Sequence, residues 1–397
     1  MKNKAVIIGA SSEALHTIQI AKKYGLSITA LDGNPDAQGL KAAEKALVVD
    51  ISDEQATIEA VRREKPDFVL TVPIGRYLTT IGAVNDALGL PGISKEMAVL
   101  CTDKFAFHKK LEEKSLRSCR CYAIPETEDH RLSFPAILKP RYGSGSRGIY
   151  MLSNEKELTW ALQLIKGEPY VLEECVPGEE YGVDGAVING QFHLILLRKK
   201  ENTPPPARQA VGYFSVQPTD SFYQKVRTYM KEVIDCLGLS ECLLHADLIE
   251  SENGPFVIEL SARPSGHNLH NLFTPLCTGI DMAEEYIKYR IGQPCCFIPK
   301  KTKQMLIHYF DMEGPIKQVP TKEEIDRMLA EDGGNACGMS DENALSLVTF
   351  ECHIKEGEVL QPVSDGHSVM GRGFFVLEGE GQETLKRCAE KIKNLFL

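Results

Sequence analysis

The first hundred residues alternate short apolar runs with amphipathic stretches, and this alternation limits the fold more than any other feature. AVIIGA (5–10) is followed by SSEALHTIQIAKKYG, in which Ala14, Leu15, Ile18 and Ala21 recur on one helical face and Gly25 marks a stop. SITALD (27–32), LVVD (47–50), a helical pattern near 54–64 and FVLTVP (68–73) continue the series. Apolar strands separated by helices make βαβ units, so the expected structure is a parallel sheet flanked by helices. The turn-rich LGLPGIS (88–94) closes this unit, which is assigned to residues 1–100.

The pattern changes near Thr102. A helix is expected at about 103–114, then a strand in FPAILKP (134–140) that leads into a Gly/Ser-rich turn. YVLEECV (170–176), YGVDGAVI (181–188) and FHLILLR (192–198) read as strands of an antiparallel sheet. After the loop KKENTPPPARQAVGYF comes a helix near 221–237. LLHADLIE and PFVIELSAR follow, parted by Asn253-Gly254, which predicts a hairpin. Beyond residue 300 the pattern is α+β: MLIHYF, a helix at 321–331, LSLVTFECH, GFFVLEG and a final amphipathic helix at 382–395.

Composition narrows the function. The 397 residues carry a formal net charge of -10, which argues against a general nucleic-acid binder. No apolar run approaches the roughly 20 residues of a membrane span, so no membrane partner is expected. MKNKAVIIGA runs directly into a strand with no export signal. The twelve cysteines therefore read as reduced thiols of a cytoplasmic protein. Cys119/Cys121 and Cys295/Cys296 lack the spacing of a zinc site.

Three stretches carry the candidate chemistry. In ILKPRYGSGSRGIY a strand delivers Lys139, and a glycine-rich turn from Gly143 to Gly148 follows. Such backbone approaches phosphate oxygens closely, and the lysine adds a point charge. It is not a Walker A sequence, and a plain hairpin turn explains it equally well. VLEECVPGEEY crowds Glu173, Glu174, Glu179 and Glu180 together, which also suits a solvated turn. In HADLIESENGPFVIELSAR, a hairpin sets Asp247 and Glu259 on facing strands. Paired carboxylates near a phosphate loop suit Mg²⁺, and Arg263 offers a two-pronged donor to a phosphoryl group.

Taken in order, Lys104, Lys139 with its glycine-rich loop, the acidic linker and Asp247/Glu259/Arg263 resemble the ATP-grasp superfamily along essentially the whole chain. The carbamoyl-phosphate-synthase-like, amino-acid-ligase-like and phosphoribosylglycinamide-synthetase-like members are the nearest in pattern. The resemblance implies a Rossmann-like pre-ATP-grasp domain (1–100), a two-lobed ATP-grasp domain (101–300, lobes of about 101–170 and 171–300) and a small C-terminal α+β subdomain (301–397). It also implies residue roles. Lys104 and Lys139 would contact the nucleotide. Gly143, Ser144, Gly145, Ser146 and Gly148 would form the flap over the phosphates. The backbone from Glu173 through Glu174 to Val176 would meet adenine, and Glu180 the ribose. Asp247 and Glu259 match the magnesium ligands, and Arg263 the arginine that steadies the acyl phosphate. Arg208, His267 and Asn268 fall where substrate is expected.

Two positions depart from the pattern. Ser261 stands where an asparagine is common, which bears on whether one or two Mg²⁺ ions bind. Ala210 stands where many amino-acid ligases carry a glutamate. The expected activity is ADP-forming ligation of a small-molecule carboxylate to an amine with ATP and Mg²⁺, by a chain that forms a homodimer if it oligomerises. The alternatives are a bicarbonate-activating enzyme and a non-catalytic ATP-binding regulator.

Overall fold

The computed structural model of the chain describes residues 3–127, 130–143, 148–204, 208–333, 345–364 and 366–397. Four strands, β1 (Lys4–Ile8), β2 (Ser27–Asp32), β3 (Lys45–Val48) and β4 (Phe68–Leu70), form a parallel sheet in the order β3-β2-β1-β4. Strand alternation divides β1 between two cores. Ala5 and Ile7 meet Ile18 and Ala21 of the helix Leu15–Lys23, whereas Val6 and Ile8 meet Val61, Leu78 and Ile81 on the other face. The helix Glu54–Glu64 begins where the sequence places it, because the Asp53 side chain accepts the Ala56 N–H at 2.9 Å.

A second sheet is antiparallel, with β5 (Cys121–Ile124), β6 (Ala136–Pro140), β7 (Tyr150–Leu152) and β8 (Tyr170–Glu174) in the order β5-β8-β6-β7. The helix Glu155–Leu164, capped by Asn154, buries Leu158 and Ala161 against Ala136, Leu138 and Leu172. Its other face leaves Trp160 exposed, edge-on to Tyr150.

The third sheet has eight strands. β9 (Glu179–Ile188), β10 (Gln191–Asn202), β11 (Ala210–Val216), β12 (Cys242–Ser251), β13 (Gly254–Ser261) and β14 (Met305–Tyr309) are joined by Ser346–Cys352 and Gly373–Glu378. The order runs β13-β12-β9-β10-β11-β14, then Gly373–Glu378 and finally Ser346–Cys352 at the edge. Strands from beyond residue 300 thus continue the sheet that begins at residue 179. The helix Ser221–Leu237 starts on the Asp220 side chain and ends at Gly238 in the left-handed region. It lays Phe222, Val226, Met230, Val233 and Leu237 into the core shared by this sheet and the N-terminal unit. Among the described residues, no helix is long and apolar enough to cross a membrane.

Candidate active site

The hairpin of β12 and β13 turns at Asn253-Gly254 and sets Asp247 opposite Glu259 in register. Like charges facing each other across two strands repel. Here each acid has its own cation. Lys200 Nζ lies 2.6 Å from Asp247 Oδ2, and Lys104 Nζ lies 3.8 Å from Glu259 Oε2. Burial pushes the Asp247 carboxyl up, but Lys200, His245 and Arg198 together outweigh it, and the Asp247 pKa is lowered from its ordinary value.

Lys104 opens the helix Lys104–Glu112. Asp103 caps that helix by accepting the Phe105 and Ala106 N–H groups at 3.0 and 3.1 Å. The same carboxylate is held by both prongs of Arg141, at 2.8 Å each, and by the Tyr142 hydroxyl at 3.2 Å. The chain just after Lys139 is therefore fastened to the head of the Lys104 helix. Lys104 Nζ in turn donates to the Gly143 carbonyl at 2.7 Å. Burial lowers the Lys104 pKa, and Glu259 pulls it the other way.

Lys139 comes from β6 and points at Glu173 on β8, with Nζ 3.1 Å from Oε2. Arg117 Nη2 donates to that same oxygen at 2.8 Å, and Arg117 Nε donates to the Val257 carbonyl at 3.1 Å. The third Arg117 contact is His108 Nδ1 at 2.6 Å. A guanidinium only donates, so His108 Nδ1 must accept, and burial together with Arg117 pushes its pKa down to about 4. Burial alone would raise the Glu173 carboxyl, yet Arg117 and Lys139 hold it at about 2. Glu173 is thus a buried anion shared by two buried cations. Arg117 was not foreseen. Nothing near Leu116-Arg117-Ser118 marks it, because its partners come from positions 108, 173 and 257.

These elements enclose a cavity of about 350 Å³ whose lining includes Lys104, Gly143, Glu259, Ser261 and Arg263. Arg263 leaves the end of β13 half-buried, with Nη1 on the Pro264 carbonyl at 2.8 Å. Burial lowers its pKa to about 10, so it remains charged at neutral pH. Gly148, at the end of the glycine-rich stretch, has φ +70°, and a Cβ there would lie 2.8 Å from the Tyr170 hydroxyl, so the position favours glycine. Ser144, Gly145 and Ser146 lie outside the described residues.

The remaining expected residues are spread more widely. The Glu174 side chain accepts the Arg120 and Ser133 N–H groups at 3.0 and 3.2 Å, and its own N–H is donated to the Arg120 carbonyl. Glu174 therefore braces neighbouring chain. Val176 packs on Cys119, Ile249 and Phe256. Glu180 is paired with Arg208 at 2.5 Å, which brings an expected ribose carboxylate and an expected substrate residue together. His267 and Asn268 occupy successive left-handed positions, φ 61° and 57°, just before the helical turn Leu269–Phe273. The His267 N–H reaches Glu13 Oε1 at 2.9 Å, and neither residue lines the cavity that contains Arg263.

The donor set fits a magnesium ion. Asp247 and Glu259 supply hard carboxylate oxygens at one register position, and among the described residues no third His, Cys, Asp or Glu joins them in a metal-binding group. Mg²⁺ takes one or two carboxylates and completes its shell with phosphate oxygens and water.

The chain thus has a layered α/β fold in which Lys104, Glu259 and Arg263 line one cavity. Residues 132–270 match the family model of the ATP-grasp domain. An uncharacterized protein of Sinorhizobium fredii, y4rH, is 27% identical over 299 residues, 70% of this chain and 61% of its own length. The carbamoyl phosphate synthase large chain of Clostridium botulinum is 23% identical over 292 residues, 66% of this chain and 27% of its own. The chain thus spans less than two thirds of these curated relatives. The solved structure of an L-amino acid ligase from Bacillus licheniformis matches with a TM-score of 0.79 at 18% identity, over 99% of this chain and 97% of the ligase, which establishes the shared fold.

Proposed function

We propose that this chain is an ADP-forming ligase that uses ATP to phosphorylate a small-molecule carboxylate and couples the acyl phosphate to an amine. The observation that carries the reading is the convergence of Lys104, Glu259 and Arg263 on one cavity, beside the Lys139–Glu173–Arg117 cluster. Lys104 and Lys139 bind the phosphates from fixed positions. Glu180 takes the ribose end, with the backbone near Glu173 to Val176 beside adenine, and Arg208 falls on the substrate side. Asp247 and Glu259 would hold Mg²⁺, which supplies charge neutralisation on the phosphoryl oxygens. Arg263 presents two parallel N–H groups to the phosphoryl group as it leaves ADP and joins the substrate carboxylate oxygen. The amine nitrogen then forms the C–N bond as the acyl C–O bond to phosphate breaks, and the nitrogen's proton is lost to solvent. Catalysis on this reading is positioning and electrostatics, so no nucleophilic side chain is required.

The amino-acid ligase fold and the ATP-grasp segment support the reading. Its test is ADP release measured against a panel of carboxylates, each with and without amines, bicarbonate included. Release that needs both a carboxylate and an amine supports ligation. Release with bicarbonate alone assigns the bicarbonate chemistry instead, and tight ATP binding with no release on any pair assigns a regulator.

A further inference from the structure

Glu13 is a carboxylate that no role above uses. It lies half-buried in the short turn Ser12–Ala14, between β1 and the helix Leu15–Lys23. Its Oε1 accepts the His267 N–H at 2.9 Å, a contact that joins the N-terminal unit to the segment following Arg263. The approach is close, since a Cβ on Gly266 would lie 3.2 Å from the same oxygen. Among the described residues no lysine, arginine or histidine forms an ion pair with this carboxylate, so its partner is the turn.

That turn needs holding. His267 and Asn268 take successive left-handed positions, φ 61° and 57°, and residues with side chains keep such backbone only where their surroundings fix it. His267 is gripped at both ends: Glu13 takes its N–H, and the hydroxyl of buried Tyr309 donates to its carbonyl. Arg263 stands four residues earlier. Its Nη1 donates to the Pro264 carbonyl at 2.8 Å, so the direction of its fork depends on the path of the chain from 264 to 267. Glu13 and Tyr309 fasten the far end of that path. Arg263 lines the cavity and Glu13 does not, so Glu13 can act on the site only through this segment and through its charge.

We infer that Glu13 is a positioning residue: by holding the His267 N–H it fixes the 264–267 segment and so aims the Arg263 guanidinium into the cavity. The inference rests on the ligase reading, in which Arg263 meets the transferred phosphoryl group. A misaimed fork leaves ground-state binding of the nucleotide nearly intact and slows the transfer, because small displacements destroy the geometry of attack.

The test sets two measurements on the full chain side by side. One is single-turnover ADP formation from Mg-ATP, run with the carboxylate and amine that give the fastest release in the panel above. The other is calorimetric affinity for a non-hydrolysable ATP analogue. In Glu13→Ala the rate should fall about 10-fold, less than on loss of the fork itself, while analogue affinity changes by less than about 2-fold. Glu13→Gln keeps an oxygen that accepts the His267 N–H and should restore a rate close to wild type. Added to Arg263→Lys, Glu13→Ala should slow the enzyme by no more than about 2-fold further, because the group it aims is already altered. Three results overturn the inference: a normal rate in folded Glu13→Ala, a Glu13→Gln as slow as Glu13→Ala, or a second loss of about 10-fold in the double variant. If Glu13→Ala does not fold, Glu13→Met, which fills the space without a comparable acceptor, carries the same comparison. Wild type that forms no ADP with any pair overturns the ligase reading itself, so the two failures are distinguishable.

Discussion

Replacing Glu173 with glutamine probes the buried cluster behind Lys139 directly. The substitution keeps shape and removes charge, leaving Arg117 and Lys139 without a shared anion. Two routes give its magnitude. The carboxyl falls from an ordinary 4.5 to about 2, and at 1.36 kcal/mol per pH unit this corresponds to about 3 kcal/mol of stability. Removing one partner of a buried ion pair independently costs about 3–5 kcal/mol. Because the folded-state value lies below the unfolded one, this stability is fully present above about pH 4.5 and is lost as pH falls towards 2. The chain provides its own reporter, since Trp160 is the only tryptophan and lies on the helix packed over the sheet that holds Lys139 and Glu173. Urea unfolding followed by Trp160 fluorescence at pH 7 should show Glu173→Gln less stable than wild type by about 3 kcal/mol, with the gap narrowing as pH drops below 4.5. A loss under 1 kcal/mol at pH 7, or a gap that does not depend on pH, would refute the view that Glu173 is a charged hub.

Two further outcomes follow from the site. Lys139→Ala should weaken binding of a non-hydrolysable ATP analogue by at least about 10-fold in calorimetry, the scale of one charge-assisted hydrogen bond, and unchanged affinity would remove Lys139 from the nucleotide site. Arg263→Lys keeps the charge but loses the fork, so single-turnover rate should fall on the order of 10²-fold with analogue affinity nearly intact, and a normal rate would end its proposed part in the reaction.

Local chemistry made much of this readable from sequence. The helix Ser221–Leu237 is bounded by Asp220 and Gly238, a cap and a stop that act within a few residues. The pairing of Asp247 with Glu259 follows from alternation on two strands joined by Asn-Gly. Lys104 and Gly143 are 39 residues apart; the superfamily pattern implied that both serve the nucleotide, and their direct hydrogen bond is a finding of the fold. The missed features are those assembled over long separations. Arg117 reaches Val257 across 140 residues, and Glu13 meets His267 across 254. Lys200 reads as one of two surface lysines until the sheet decides which face each side chain takes. For Glu174 the resemblance implies only a backbone contact, and the separate task of its carboxylate, accepting the N–H groups of Arg120 and Ser133, has no local signal.

The eight-stranded sheet has a consequence for how such a protein changes over time. The loop between β10 and β11, which includes Arg208, hangs from two strands that are both held on their outer sides, β10 by β9 and β11 by β14. Lengthening or rewriting it removes no rung from either outer ladder, and a longer surface loop adds little closure entropy. By contrast, the acids on β12 and β13 sit inside a ladder whose register fixes their spacing. Drift in this connection is therefore cheap, and drift in the paired acids is not. Lineages built on this scaffold can rewrite the connection while the facing pair of Asp247 and Glu259 stays fixed.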